Sequence, residues 1–229
     1  MLLTIIKTLL CLLTPGAALL LVQNTKKWAF AVPAFGLAIV IIFGVSRIAV
    51  EPLGFLSMLI SLSMLHFLSL VIGLYLHLKR YQKAKGFGAN FVGLCILNIT
   101  IAVSCHLYKA NWFGFSFYHI PSVSMQPALQ PGDIVVVDNW VYQENSLQVE
   151  DIIIFKRPQN DMVMIKRIKK LRSGYSSSIF VEGDNPNKSF DSRRFGWLDE
   201  DSVLGKATFI LINIQQCQAS LINCKPRNL

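Results

Sequence analysis

Four apolar runs dominate the first half of the chain: Leu2–Val22, Trp28–Ser46, Leu53–Leu78 and Phe91–Leu107. Each approaches or exceeds the ~20 residues a helix needs to cross about 30 Å of hydrocarbon, where backbone polar groups must be satisfied internally. About four transmembrane helices are therefore expected. Composition agrees, because only 15% of the 229 residues are charged and 53% are hydrophobic, whereas an ordinary soluble domain carries about 25% charge. Residues 109–229 read differently, as a globular mixture of charge, turn formers and short apolar runs. Two domains are expected, a helical one over 1–108 with spans near 2–22, 28–46, 53–78 and 91–107, and a water-soluble one over 109–229.

The linkers orient this path. Lys26 and Lys27 separate the first two runs, Arg47, Glu51 and Pro52 the next two, and KRYQKAKG the last two. Cationic loops translocate poorly, so the lysine pair and the cluster Lys79, Arg80, Lys83 and Lys85 belong on the cytoplasmic side. Four crossings then leave the amino terminus, the 47–52 loop and everything after Leu107 outside. The first run also admits a reading as a cleaved signal peptide, since PGAAL offers small residues, but Lys7 is its one early charge and a retained span fits better. The net charge of +9 is explained by topology, because six of the positive charges lie in those two linkers; lipid is an expected partner and nucleic acid is not. Cys11, Cys95 and Cys105 fall in apolar runs as packing residues. Cys217 and Cys224 lie in the exported half, where either a disulfide or two free thiols is compatible with the sequence.

The second half reads as β structure. DIVVVDNW, DIIIFKR, DMVMIKRIKKL, SIFVEGD and LGKATFILIN are short Val-, Ile- and Phe-rich runs bounded by turn formers, and no helical apolar period competes with them. A small antiparallel barrel or sandwich is expected, with a long loop at EGDNPNKSFDSRRFGWLDED. No phosphate loop, HExxH or CxxC occurs, so neither a nucleotide nor a metal is expected.

HIPSVSMQPALQPGD, residues 119–133, places two serines between prolines just after the last apolar run. A serine hydroxyl is a poor nucleophile until a base takes its proton. His119 is the one histidine in this half; its ordinary role is a polar residue at a strand end or bilayer surface. Lysine is the other partner a catalytic serine can use. In strand alternation Lys166 shares a face with Met164 and Ile168, where an ammonium is poorly solvated and its pKa falls toward the range of a neutral base. The pattern alone also admits an edge-strand lysine among Arg167, Lys169 and Lys170. Tyr108, Trp112, Phe113, Phe115, Phe117 and Tyr118 give the density of aromatics expected at a membrane interface, which keeps the serines near the bilayer.

IPSVSMQPALQPGDIVVVD, DIIIFKRP, MIKRI and GDNPNKSFDSRRFGWL with LGKA resemble, in order, the boxes of type I signal peptidases, membrane-bound Ser/Lys proteases with an all-β catalytic domain; the resemblance covers most of residues 118–207. It implies Ser124 as nucleophile and Lys166 as general base. Ser122 would join the Ser124 backbone N–H in the oxyanion hole, and Ser189 would orient the lysine. Asp191 and Arg193 would brace a loop turned by Gly183, Asp184 and Asn185. Tyr118, Ile120, Pro121 and Ile165 would form shallow pockets for the small side chains before the cut.

The same resemblance implies a monomeric serine endopeptidase that cleaves signal peptides from exported preproteins, without metal or cofactor. Its expected setting is the bacterial plasma membrane, with the catalytic domain on the extracytoplasmic side. Several positions depart from the family pattern. Ala128 stands for the usual Thr, Glu150-Asp151 for a Gly-Asp, Pro186 for an Arg, Arg194-Phe195 for an aromatic pair, and KRIKKLRSG for a Gly-x-Pro-Gly-Asp turn. These leave the catalytic atoms but bear on the neighbouring loop and the substrate range. The alternative is a specialised or inactive relative that serves secretion as a docking or accessory module; retention of Ser122, Ser124, Lys166 and Ser189 together argues against it.

Overall fold

A computed structural model describes residues 2–79, 86–157, 159–172, 177–219 and 226–229. The chain divides into two compact units, Met1–Ala49 with Leu53–Phe113, and Val50–Pro52 with Gly114–Leu229.

In the first unit the helices are α1 (Leu2–Leu13), α2 (Lys26–Val45), α3 (Pro52–Leu78) and α4 (Phe87–Phe113). Lys26–Val45, Pro52–Leu78 and Phe87–Tyr108 are long and apolar enough to cross a membrane. The first run is not. Its 12-residue helix extends about 18 Å at 1.5 Å per residue, well short of the hydrocarbon thickness, so the expected four spans become three among the described residues.

Thr14-Pro15-Gly16 ends α1, because a residue before proline disfavours the helical conformation and Gly16 takes a φ of 82°. A short 3-10 turn, Ala17–Leu21, then packs Ala17, Ala18, Leu19 and Leu20 out of solvent. The break is supported from both sides. His66 Nε2 on α3 lies 2.9 Å from the Leu12 carbonyl, one of the oxygens a helix end leaves without a partner. Pro33 inside α2 cannot donate to the Ala29 carbonyl, and a side chain at Gly16 would collide with that oxygen. Gly73 of α3 likewise lets the 3-10 turn approach at Ala18.

The second unit is one antiparallel sheet. Its strands are β1 (Phe115–His119), β2 (Asp133–Asp138), β3 (Ile152–Lys156), β4 (Val163–Arg172), β5 (Ser178–Glu182), β6 (Leu198–Asp199), β7 (Val203–Asn213) and β8 (Arg227–Asn228). They run in the order β1-β2-β7-β3-β4-β5-β6, with β8 paired to β7. All five strands expected from the sequence are present. Register shifts in the β2–β7, β3–β7 and β4–β5 ladders mark irregularities of the kind that bend a sheet.

Two apolar clusters line opposite faces of β3. Ile152 and Ile154 pack with Ile120, Met125, Leu129, Val135 and Ile210, and Ile153 and Phe155 pack with Ile168, Ile179, Val181 and Leu198. A strand covered on both faces reads as a continuous apolar run, which is why β3 is IIIF rather than alternating.

The aromatics expected at a membrane surface divide. Tyr108 and Trp112 are exposed, but Phe113 and Phe115 are only 2% and 4% exposed. Cys217 is disulfide-bonded; Cys224 lies outside the described residues.

Candidate active site

The loop between β1 and β2 carries the serines. Ile120 N–H donates to the Asp133 carbonyl and Gly132 N–H to the Ile120 carbonyl, both at 2.8 Å, which closes the loop at its base. Met125 and Leu129, each 0% exposed, anchor its inner side in the core. Between these fixed points Ser124 is held with its hydroxyl toward β4.

Lys166 meets it there. β4 pairs Lys166 with Ile153 of β3 and buries Lys166 and Ile168 on one face, as alternation predicts. Lys166 Nζ donates to Ser124 Oγ at 2.7 Å and to the Ile165 carbonyl at 2.9 Å. Both side chains are enclosed, with 6% of Ser124 and 3% of Lys166 exposed. Burial brings the Lys166 pKa from 10.5 down to about 8, against the opposing influence of Asp191 and Asp184. A neutral amine is thereby accessible near physiological pH. Ser122 Oγ lies 3.2 Å from Ser124 Oγ.

A second loop fixes the backbone at Ser124. Asn185 N–H donates to the Ser124 carbonyl at 3.0 Å and its side chain to the Val123 carbonyl at 3.3 Å. Gly183 lies so close to the Ser124 carbonyl that a Cβ would fall 2.5 Å from it. Only glycine fits there.

Asp184 receives Arg167 in a two-pronged ion pair, both bonds 2.8 Å. Asp191, 0% exposed, accepts from Gly183 N–H at 2.9 Å and from Arg193 Nε at 2.8 Å. Burial opposes the Asp191 charge, yet Arg193 and the N–H groups of Gly183 and Arg193 hold its carboxyl well below the usual carboxylate range. Gly183, Asp191 and Arg193 are thus tied to one another, Asp184 to Arg167, and Asn185 to the Ser124 backbone.

Ser189 departs from expectation. It is buried against Gly183, on the side of Asp191, whose charge its hydroxyl favours. Its Oγ makes no well-formed hydrogen bond among the described residues, so the expected bond to Lys166 is not formed. His119 is exposed at the end of β1, and no hydrogen bond joins it to Ser124.

A cavity of about 360 Å³ opens beside the serine–lysine pair. Tyr118, Ile120, Pro121 and Ile165 line it, together with Ser122, Ser124 and Lys166. Ile154, Met162, Val163, Met164, Lys188 and Phe190 line it too, and sequence reasoning missed them. For Val163 and Met164 a signal existed: they precede Lys166 on its own strand, and Met162 stands just before it. Phe190 and Lys188 come from the long loop, whose path no periodicity encodes.

The second unit thus combines an antiparallel sheet with a buried serine–lysine pair at an apolar cleft, and the first unit holds apolar helices of membrane-crossing length. The profile of the family described as signal peptidase, peptidase S26, matches residues 92–171 and 175–212, just over half of the chain, and the protein belongs to that family. Among similar proteins, thylakoidal processing peptidase 1 of Arabidopsis thaliana is 31% identical, over 39% of this chain and 40% of the relative. Mitochondrial inner membrane protease subunit 2 of Saccharomyces cerevisiae is 33% identical, over 40% of this chain and 65% of the relative. Signal peptidase I of Aquifex aeolicus is 41% identical, over 31% of this chain and 27% of the relative. The matches therefore span 27% to 65% of the length of these relatives.

Proposed function

We propose that this protein is a serine endopeptidase that removes signal peptides from exported preproteins, with Ser124 as nucleophile and Lys166 as general base. The observation that carries this reading is the 2.7 Å approach of Lys166 Nζ to Ser124 Oγ inside a buried site. That separation lies within the range for direct proton transfer. Family membership supports the reaction class.

In the proposed sequence, neutral Lys166 takes the Ser124 proton as Oγ attacks the scissile carbonyl. The Ser122 hydroxyl and the Ser124 N–H stabilise the resulting oxyanion, an effect worth about 3–4 kcal/mol per donor in comparable sites. The protonated lysine then passes its proton to the departing amine, leaving an acyl-enzyme. Lysine, neutral again, activates the water that releases the acyl group. Arg167–Asp184 and Arg193–Asp191 keep the second loop, and through Asn185 the nucleophile, in register. Ser189, not bonded to the lysine in this geometry, is proposed to orient Lys166 when substrate is bound.

Tyr118, Ile120, Pro121 and Ile165 are proposed to receive the small side chains that precede the cut. The proposed setting is a bacterial plasma membrane with the second unit on the extracytoplasmic side, acting as a monomer on preproteins. With three crossing helices the parity is unchanged, because Lys26 and Lys27 stay inside and everything after α4 lies outside. Only the residues before Lys26 change side. Cleavage of a reporter preprotein in detergent by wild type and by Ser124→Ala tests the proposal: activity in the first and none in the second is expected, and equal cleavage by both would overturn it.

A further inference from the structure

The cleft beside Ser124 is uneven in charge. Among its described lining residues there is no Asp or Glu, while His119, Lys166 and Lys188 all contribute. Lys166 has to be neutral to act, so Lys188 is the lysine that keeps its charge during the reaction. It is exposed, and no ion pair neutralises it among the described residues.

Its mounting is also firm. Lys188 closes the short Pro186–Lys188 turn, its N–H bonded to the Asn185 carbonyl, and Asn185 N–H in turn holds the Ser124 carbonyl at 3.0 Å. The ammonium is therefore carried by the same loop that fixes the nucleophile. Beside Phe190, another lining residue, the Arg157 guanidinium lies 5.0 Å and that of Arg194 6.0 Å from the ring. The nearby acids are occupied: Asp161 pairs with Lys156 at 3.0 Å and Asp191 with Arg193.

We infer that Lys188, backed by Arg157 and Arg194, makes this a charge-selective peptidase that favours preproteins carrying an acidic residue next to the cleavage site. The inference rests on the proposed peptidase reading and adds the charge of the preferred substrate. The apolar pockets set the size of the residues before the cut. The cationic rim acts on a flanking residue, attracting Asp or Glu and repelling Lys or Arg. One partly exposed pair changes an equilibrium by up to about fivefold, so exchanging a substrate acid for a base changes it by up to about twentyfold.

The test uses the full chain in detergent and matched preprotein peptides with Ala at the first and third positions before the cut. Glu, Gln or Lys is placed in turn at each flanking position, and kcat/KM is read as a ratio within each enzyme. Wild type is expected to prefer Glu over Lys about five- to twentyfold at one or more positions. The ratio should persist in Lys188→Arg, fall toward one in Lys188→Gln, invert in Lys188→Glu, and shrink in 0.5 M salt. An identical ratio in wild type, Lys188→Gln and Lys188→Glu, or no preference in wild type, overturns the inference while leaving the peptidase reading in place. Failure of wild type to cleave even the Gln peptides removes the peptidase reading itself, and this inference with it.

Discussion

Gly183→Ala tests whether the second loop positions the nucleophile. A Cβ at Gly183 would sit 2.5 Å from the Ser124 carbonyl oxygen and 2.7 Å from Ser189 Cβ, and would collide with Ser189 Oγ. Ordinary contact between such atoms begins near 3.4 Å, so something must move by about 1 Å. Neither neighbour can swing aside, since one is backbone held by Asn185 N–H and the other a buried side chain. Relief therefore has to displace the Ser124 backbone or the Gly183 turn that binds Asp191. A misplacement of this size costs about a hundredfold in rate, and overpacking costs about 1–3 kcal/mol in stability. The assay is kcat/KM on a reporter preprotein in detergent, with thermal unfolding in parallel to establish that the variant is folded. A folded Gly183→Ala enzyme within threefold of wild type would refute the positioning argument.

Three further outcomes are expected. Burial leaves the Lys166 pKa about 8 in the fold against 10.5 when unfolded, so at every pH below about 8 the fold carries a penalty of about 3 kcal/mol that fades as pH rises toward 10.5. Lys166→Met should therefore be inactive but more stable by about 1–3 kcal/mol at pH 7, and an unchanged or lower Tm there would contradict the buried-amine account. Replacing Ala by Phe just before the cut in a substrate should lower cleavage sharply, because the pocket walls of Ile120, Pro121 and Ile165 reject bulk by overlap; equal rates would remove these residues from substrate recognition. Reporter fusions after residues 49 and 115 should score as exported and one at residue 84 as cytoplasmic, whereas an exported reporter at 84 would reverse the membrane path.

Different parts of this molecule were readable from sequence for different physical reasons. Strands β2, β3, β4, β5 and β7 announce themselves because a sheet sandwiched between apolar clusters needs Val, Ile and Phe in runs. Alternation with Met164 and Ile168 made burial of Lys166 one of two open readings, the other an edge-strand lysine, and the ordered motifs favoured it. The site residues from Tyr118 to Ser124 converge with Lys166 although some forty positions separate them, which the ordered motifs implied and no local rule could. The broken first helix had a local signal in Thr14-Pro15-Gly16, but the predominantly apolar character of Leu2–Val22 outweighed it. Strand β1 was hidden because FSFYH also suits a membrane interface, and β6 and β8 span only two residues each. The orientation of the Ser189 hydroxyl and the positions of Lys188 and Phe190 depend on how an irregular loop packs, for which spacing holds no code.

The pH dependence of kcat/KM for preprotein cleavage, measured from pH 5 to pH 10 on wild type and Lys166→Arg, addresses the central claim most directly. Only neutral Lys166 can accept the Ser124 proton, so wild-type activity should rise through a midpoint near 8 and level off above it. Arginine keeps its proton throughout this range, so Lys166→Arg should lose about a hundredfold to ten-thousandfold at every pH. A wild-type midpoint near 6.5, the ordinary range of a histidine, or a folded Lys166→Arg enzyme that keeps most of its activity, would contradict Lys166 as the base.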